Sequence, residues 1–193
     1  GLWLAAGLAI AVPGAAEKQG ADGSVPAAEV LSDASALLSS RKPEEAVKIL
    51  KDLVERDPKN LRAWELLGRA YGEADKLDEA LAACNQALAL NPRSKAALFS
   101  RYYAYYFQGN YDKAMEDATT LSELDPRDVL YVFFRVRVEV KKKDFDAALR
   151  DCDRAEALKG DQTEVLEERA LAFRAAGAYP EAIEELGKWI ALS

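Results

Sequence analysis

From residue 27 onward, apolar and small residues recur at intervals of three and four, in segments of roughly 13 residues divided by short polar breaks. That spacing gathers the apolar positions on one face of a helix. Inside successive pairs of segments the breaks read Arg41-Lys42-Pro43, Asp75-Lys76, Gly109-Asn110, Lys143-Asp144 and Gly177-Ala178. Between pairs stand Pro58, Pro92, Pro126 and, in the next such place, Gly160. The pattern predicts an all-α chain of about ten antiparallel helices in five hairpins. Asp78, Asp112 and Asp146 fall just before or in the first turn of second helices, where a carboxylate accepts orphan amide hydrogens and meets the positive end of the dipole. Pro43 and Pro180 sit near the same start, where a missing amide hydrogen costs nothing.

The pattern is periodic. Alanine stands at 46, 80, 114, 148 and 182, each 34 residues beyond the last, which marks the close approach of the two helices of a hairpin. The frames are 27–60, 61–94, 95–128, 129–162 and 163–193. In the second frame Trp64, Leu67, Gly68, Tyr71, Ala80, Cys84 and Pro92 give W-x2-L-G-x2-Y, then A-x3-C, then P. This closely resembles the tetratricopeptide repeat, a 34-residue helix-turn-helix unit. The resemblance covers residues 27–193 and implies a right-handed α-α superhelix, a solenoid in which each hairpin buries its apolar face against its neighbours.

The resemblance also implies where binding occurs, because in that family the first helices line a concave groove that holds an extended peptide or a helix. The groove columns then contain Arg62, Glu65, Arg69 and Glu73, next Phe99, Tyr103 and Tyr106, next Phe133, Arg137 and Lys141, and last Glu167 and Arg174. The candidate peptide-binding set is Arg62, Glu65, Arg69, Phe99, Tyr103, Tyr106, Phe133, Arg137 and Lys141, an aromatic centre flanked by cations. Residues 99–107, FSRYYAYYF, hold six of the 17 aromatic residues. Tyr102 and Tyr105 share columns with Gly68 and Tyr71 and are expected in the core, whereas Phe99, Tyr103 and Tyr106 lie on the other face. The clamp by which some family members hold acidic chaperone tails is not matched: its places hold Leu31, Ser35, Leu66, Ala96 and Ser100.

A second pair of columns reads as architecture. Arg101, Arg135 and Arg169 occur only in the frames that carry Asp117, Asp151 and Glu185 in the facing column, so salt bridges within hairpins are expected. Cys84 and Cys152 lie two periods apart, which puts their sulfurs on the order of 20 Å from each other for helices packed about 8–10 Å apart. A disulfide needs α-carbons within about 7 Å, so both are expected to be free, buried hydrophobes.

Charge and composition narrow the function. A net charge of −7 argues against nonspecific nucleic-acid binding, and Lys141-Lys142-Lys143 reads as a solvated helix end rather than a basic patch. The chain has no histidine, its adjacent carboxylates do not face one another on a helix, and Gly72, Gly109 and Gly177 form no phosphate cradle. No catalytic residue, cofactor or metal site is therefore expected.

Residues 1–16 differ from the rest. Leu2 to Val12 carry no charge and are followed by Pro13-Gly14-Ala15-Ala16, the form of a signal-peptide end, with a membrane anchor as the alternative reading. Residues 17–26 read as a linker. Export to a bacterial periplasm or cell envelope is expected, with any membrane association running through residues 1–16. At the other end Leu186, Trp189 and Ile190 are expected to be partly bare unless a chain continuation or an oligomer covers them. The chain reads as a non-catalytic protein-binding scaffold or assembly factor whose partner carries apolar anchors and a carboxylate. The alternative reading is a structural or regulatory module of a larger, enzymatic protein.

Overall fold

The computed structural model describes residues 25–158 and 160–192, and the expected leader, together with most of the expected linker, lies outside them. Each break foreseen in the sequence separates two helices: α1 (Ala27–Ser39), α2 (Pro43–Arg56), α3 (Leu61–Glu73), α4 (Leu77–Leu90), α5 (Lys95–Phe107), α6 (Tyr111–Leu124), α7 (Val129–Lys142), α8 (Phe145–Ala157), α9 (Gln162–Ala176) and α10 (Tyr179–Leu192). Odd-numbered helices are the first and even-numbered the second of each hairpin. No described helix is long and apolar enough to cross a membrane.

Local chemistry sets the boundaries. Asn60, Ser94, Asn110, Asp128, Asp144 and Asp161 are the residues whose side chains accept an amide hydrogen at a helix start. Asp78, Asp112 and Asp146 sit inside the first turns instead, where their contribution is to the dipole. Pro43 opens α2 at its first position. Lys143, with φ 63°, and Gly177, with φ 81°, end α7 and α9 in the left-handed conformation.

The core runs along the stack rather than into a centre. Each second helix packs on the first helix of the next hairpin, α2 on α3, α4 on α5, α6 on α7 and α8 on α9. Ala46, Ala80, Ala114 and Ala148 have no exposed surface, as the close-approach column requires, and Ala182 is also buried. A Cβ added to Gly68 would lie 2.6 Å from Cys84 Sγ. Gly68→Ala is therefore expected to destabilise the fold by about 1–3 kcal/mol, and the double variant Gly68→Ala, Cys84→Ala to recover most of that loss in urea unfolding.

Cys84 and Cys152 are free and buried, and burial pushes both thiols up to about 12, so neither offers a thiolate near neutral pH. All three expected salt bridges form: Arg101 donates to both oxygens of Asp117 at 2.9 and 2.7 Å, Arg135 lies 2.9 Å from Asp151, and Arg169 lies within ion-pair reach of Glu185. Arg169 reaches Glu185 only at 3.8 Å and is held at 2.8 Å by Asp153 and Glu156 of α8. Arg101 likewise reaches back to Asn85 of α4 at 2.8 Å. Arg101 and Arg169 thus tie a hairpin to its predecessor as well as closing it.

Candidate peptide-binding groove

Spacing between first helices shapes the groove. The pairs α1 with α3, α3 with α5 and α7 with α9 approach closely, whereas the backbones of α5 and α7 approach less closely. Between these two stand the rings of Tyr102 and Phe134, stacked with centroids 4.3 Å apart and planes 9° from parallel. The Tyr102 hydroxyl donates to the Phe134 carbonyl at 3.2 Å, which locks the stack to the backbone of α7. Phe134 is fully buried and forms the floor on which Phe99 and Tyr103 rest, with centroid distances of 5.3 and 5.6 Å.

Above this floor one face of α5 carries Phe99, Tyr103 and Phe107 at i, i+4 and i+8, with successive centroids 5.0 and 6.1 Å apart. Phe99, Tyr103 and Tyr106 are half-buried, and Phe107 is 67% exposed. A cavity of about 300 Å³ opens between this row and α3, walled by Phe99, Tyr103, Phe107, Leu77, Gly72 and the Arg69–Glu73 pair. No atom lies within 4 Å of a Cβ built on Gly72, so the absent side chain leaves that wall open.

The structure uses several predicted residues for other purposes. Phe133 is only 2% exposed and packs with Val132, Ala155 and Val165, so it belongs to the interior between α7 and α9 and not to the groove surface. Glu65 accepts the Ser94 hydroxyl at 2.6 Å, bracing the residue that caps α5, and also pairs with Arg62 at 3.2 Å. Arg69 is tied to Glu73 at 2.7 Å. Arg137 grips the buried carboxylate of Glu168 at 2.5 Å, where burial holds the Glu168 carboxyl above its usual range. Lys141 is exposed, with its ammonium 6.0 Å from the centre of the Tyr106 ring, and burial raises the Tyr106 phenol. Of the predicted cationic flank, Lys141 has no ion pair among the described residues.

Phe107 and Leu77 were not among the expected groove residues. A signal for Phe107 was present, because its column holds Ser39, Glu73, Lys141 and Ala175 in the other hairpins, and an aromatic ring among them is out of pattern. Leu77 gave none, since it opens a second helix and joins the wall only through the turn that carries it back over α3.

The family model described as tetratricopeptide repeat matches residues 31–95, 99–163 and 135–192. None of the curated protein sequences matches this chain. Among solved structures, MamA from Desulfovibrio magneticus superimposes with a TM-score of 0.76 at 14% identity, covering 86% of this chain and 93% of its own. A tetratricopeptide repeat protein from Parabacteroides merdae gives 0.76 at 21% identity, covering 85% of this chain and 64% of its own. A thermophilic repeat protein of Thermus thermophilus gives 0.66 at 19% identity, with 85% and 90% covered. At these identities the likeness is one of fold.

Proposed function

Because the chain belongs to the tetratricopeptide repeat family, whose domains bind protein partners, we propose that it is a non-catalytic scaffold that holds a partner segment in the groove between α3 and α5. The observation that carries this reading is the aromatic row Phe99, Tyr103 and Phe107 left facing an open cavity of about 300 Å³. An apolar wall of that kind on a folded surface marks a site that gains by covering. The partner is an extended or helical segment whose apolar side chain fills the cavity. A carboxylate beside that anchor meets Lys141, since Arg69 and Arg137 already hold glutamates.

Tyr103→Ala is expected to weaken binding by about 2 kcal/mol, roughly thirtyfold, and Phe107→Ser by a similar amount. Phe107→Ser leaves the core untouched because Phe107 is exposed. Lys141→Glu is expected to weaken binding more at low salt than at high salt, because exposed charges are screened over about 8 Å at physiological ionic strength. Calorimetry on a partner captured from envelope extract checks all three, and unchanged affinity in both aromatic variants would move the site elsewhere. Export rests on the Leu2–Val12 pattern alone, and recovery of the unprocessed chain in the cytosolic fraction would remove it.

A further inference from the structure

The cavity between α3 and α5 owes its room to two places where the repeat carries a small residue. Gly72 stands where the other hairpins hold Leu38, Tyr106, Val140 and Arg174, and Ser100 stands where they hold Ser32, Leu66, Phe134 and Glu168. Leu66, Phe134 and Glu168 are buried, whereas Ser100 is half-buried and lines the cavity together with Gly72. The hollow is therefore written into the sequences of α3 and α5 and lies well inside the solenoid, with a hairpin on either side.

Building on the groove as the surface that holds a partner segment, we propose that this cavity takes the side chain of a tryptophan in that segment. Size is the first reason. An apolar cavity of about 150 Å³ accepts benzene, so one of about 300 Å³ has room for two fused rings. Leucine or phenylalanine would leave part of it empty, and an empty apolar gap forfeits the contacts of its lining.

The walls give the second reason. Phe99, Tyr103 and Phe107 present three rings in a row, and aromatic pairs gain from tilted or offset contact beyond the area they bury. From α3 the Arg69 guanidinium, fixed by its bond to Glu73, brings a cation to the guest, and indole is the aromatic group that attracts a cation most strongly. An aliphatic side chain of equal area gains neither contact. The third reason is polar: the Ser100 hydroxyl stands in this wall, and its oxygen can accept the N–H that a buried tryptophan must pair. Gly72 thus sets the room for the anchor, and Ser100 selects a ring that carries a donor.

Nuclear magnetic resonance of the full chain titrated with N-acetyltryptophanamide tests this without a partner. The amide signals of Tyr103 and Phe107 are expected to shift with a dissociation constant on the order of 1 mM, and N-acetylleucinamide to bind about tenfold more weakly. Gly72→Leu and Ser100→Leu each fill the cavity with a residue that another hairpin already carries in that column. Both are expected to abolish the shifts while keeping the helical circular dichroism, and either one suffices if the other misfolds. Ser100→Ala keeps the room and removes the acceptor, so the tryptophan amide should bind severalfold more weakly while its N-methylindole analogue is unaffected. A wild-type chain that shows no shifts, or binds the leucine amide as tightly, overturns the proposal. So do shifts that persist in a folded filling variant, and Ser100→Ala binding the tryptophan amide as tightly as the wild type removes the choice of indole. A captured partner lost on Tyr103→Ala but kept on Gly72→Leu would overturn this subsite alone and leave the groove as the binding surface, whereas one indifferent to both would remove the two together.

Discussion

Replacement of Arg135 by methionine is expected to destabilise the protein by about 2–3 kcal/mol at pH 8 and by less at pH 5. Arg135 lies between two buried carboxylates, at 2.9 Å from Asp151 and 3.7 Å from Glu139. Arg135 Nε and Asp151 Oδ2 are close without hydrogen-bond alignment, and Glu139 Oε2 has no donor among the described residues. In the hairpin before, Tyr105 fills the place of Glu139 and Arg101 makes two aligned bonds to Asp117. Glu139 disturbs that arrangement in α7. Burial, reinforced by Asp151, pushes its carboxyl up to about 7, against the partial opposition of Arg135.

The sign of the pH dependence follows from that rise. Between the ordinary glutamate value of about 4.3 and 7, the folded protein keeps a proton that the unfolded chain has released, so stability falls as pH rises through this window. Glu139→Gln is therefore expected to raise stability by about 1–2 kcal/mol at pH 8 and by less at pH 5, the discount from a full linkage estimate allowing for water reaching the cluster. Urea melts of the wild type, Glu139→Gln and Arg135→Met at both pH values check this. Equal differences at the two values would mean that Glu139 does not titrate in this range.

Phe134→Ala is expected to cost about 3–5 kcal/mol and to abolish binding in the groove even under conditions where the protein stays folded. Phe134 is fully buried, and its ring contacts Phe99, Tyr102, Tyr103 and Tyr131 at centroid distances between 4.3 and 6.0 Å. Truncation leaves a cavity where α5 and α7 are held apart by rings, so Phe99 and Tyr103 lose the floor that orients them. Phe134→Leu separates the two effects. It restores most of the volume and stability but not the flat stacking surface, so groove affinity should stay reduced while the thermal midpoint recovers. Thermal unfolding beside calorimetry reads both quantities, and full affinity in a stably folded Phe134→Leu protein would show that the aromatic floor has no part in recognition.

Periodicity alone determined the ten helices, their five hairpins and the small column at each crossing, because hydrophobic spacing and breakers act locally and repeat with the chain. It also determined that Cys84 and Cys152 stay free, since α5, α6 and α7 come between α4 and α8 along the stack. Register was enough to pair Arg101 with Asp117 and Arg135 with Asp151, which belong to one hairpin. Questions of reach and cover belonged to the tertiary structure. Arg169 keeps the Glu185 pair at 3.8 Å but adds Asp153 and Glu156 at 2.8 Å, because a long side chain spans more than one neighbour. Phe99 and Phe133 occupy one column, yet Phe133 is buried against α9 while Phe99 borders the cavity. Helical period settles the direction in which a side chain leaves its own helix. Whether the neighbouring helix meets it there depends on how far the rings in between hold the two backbones apart.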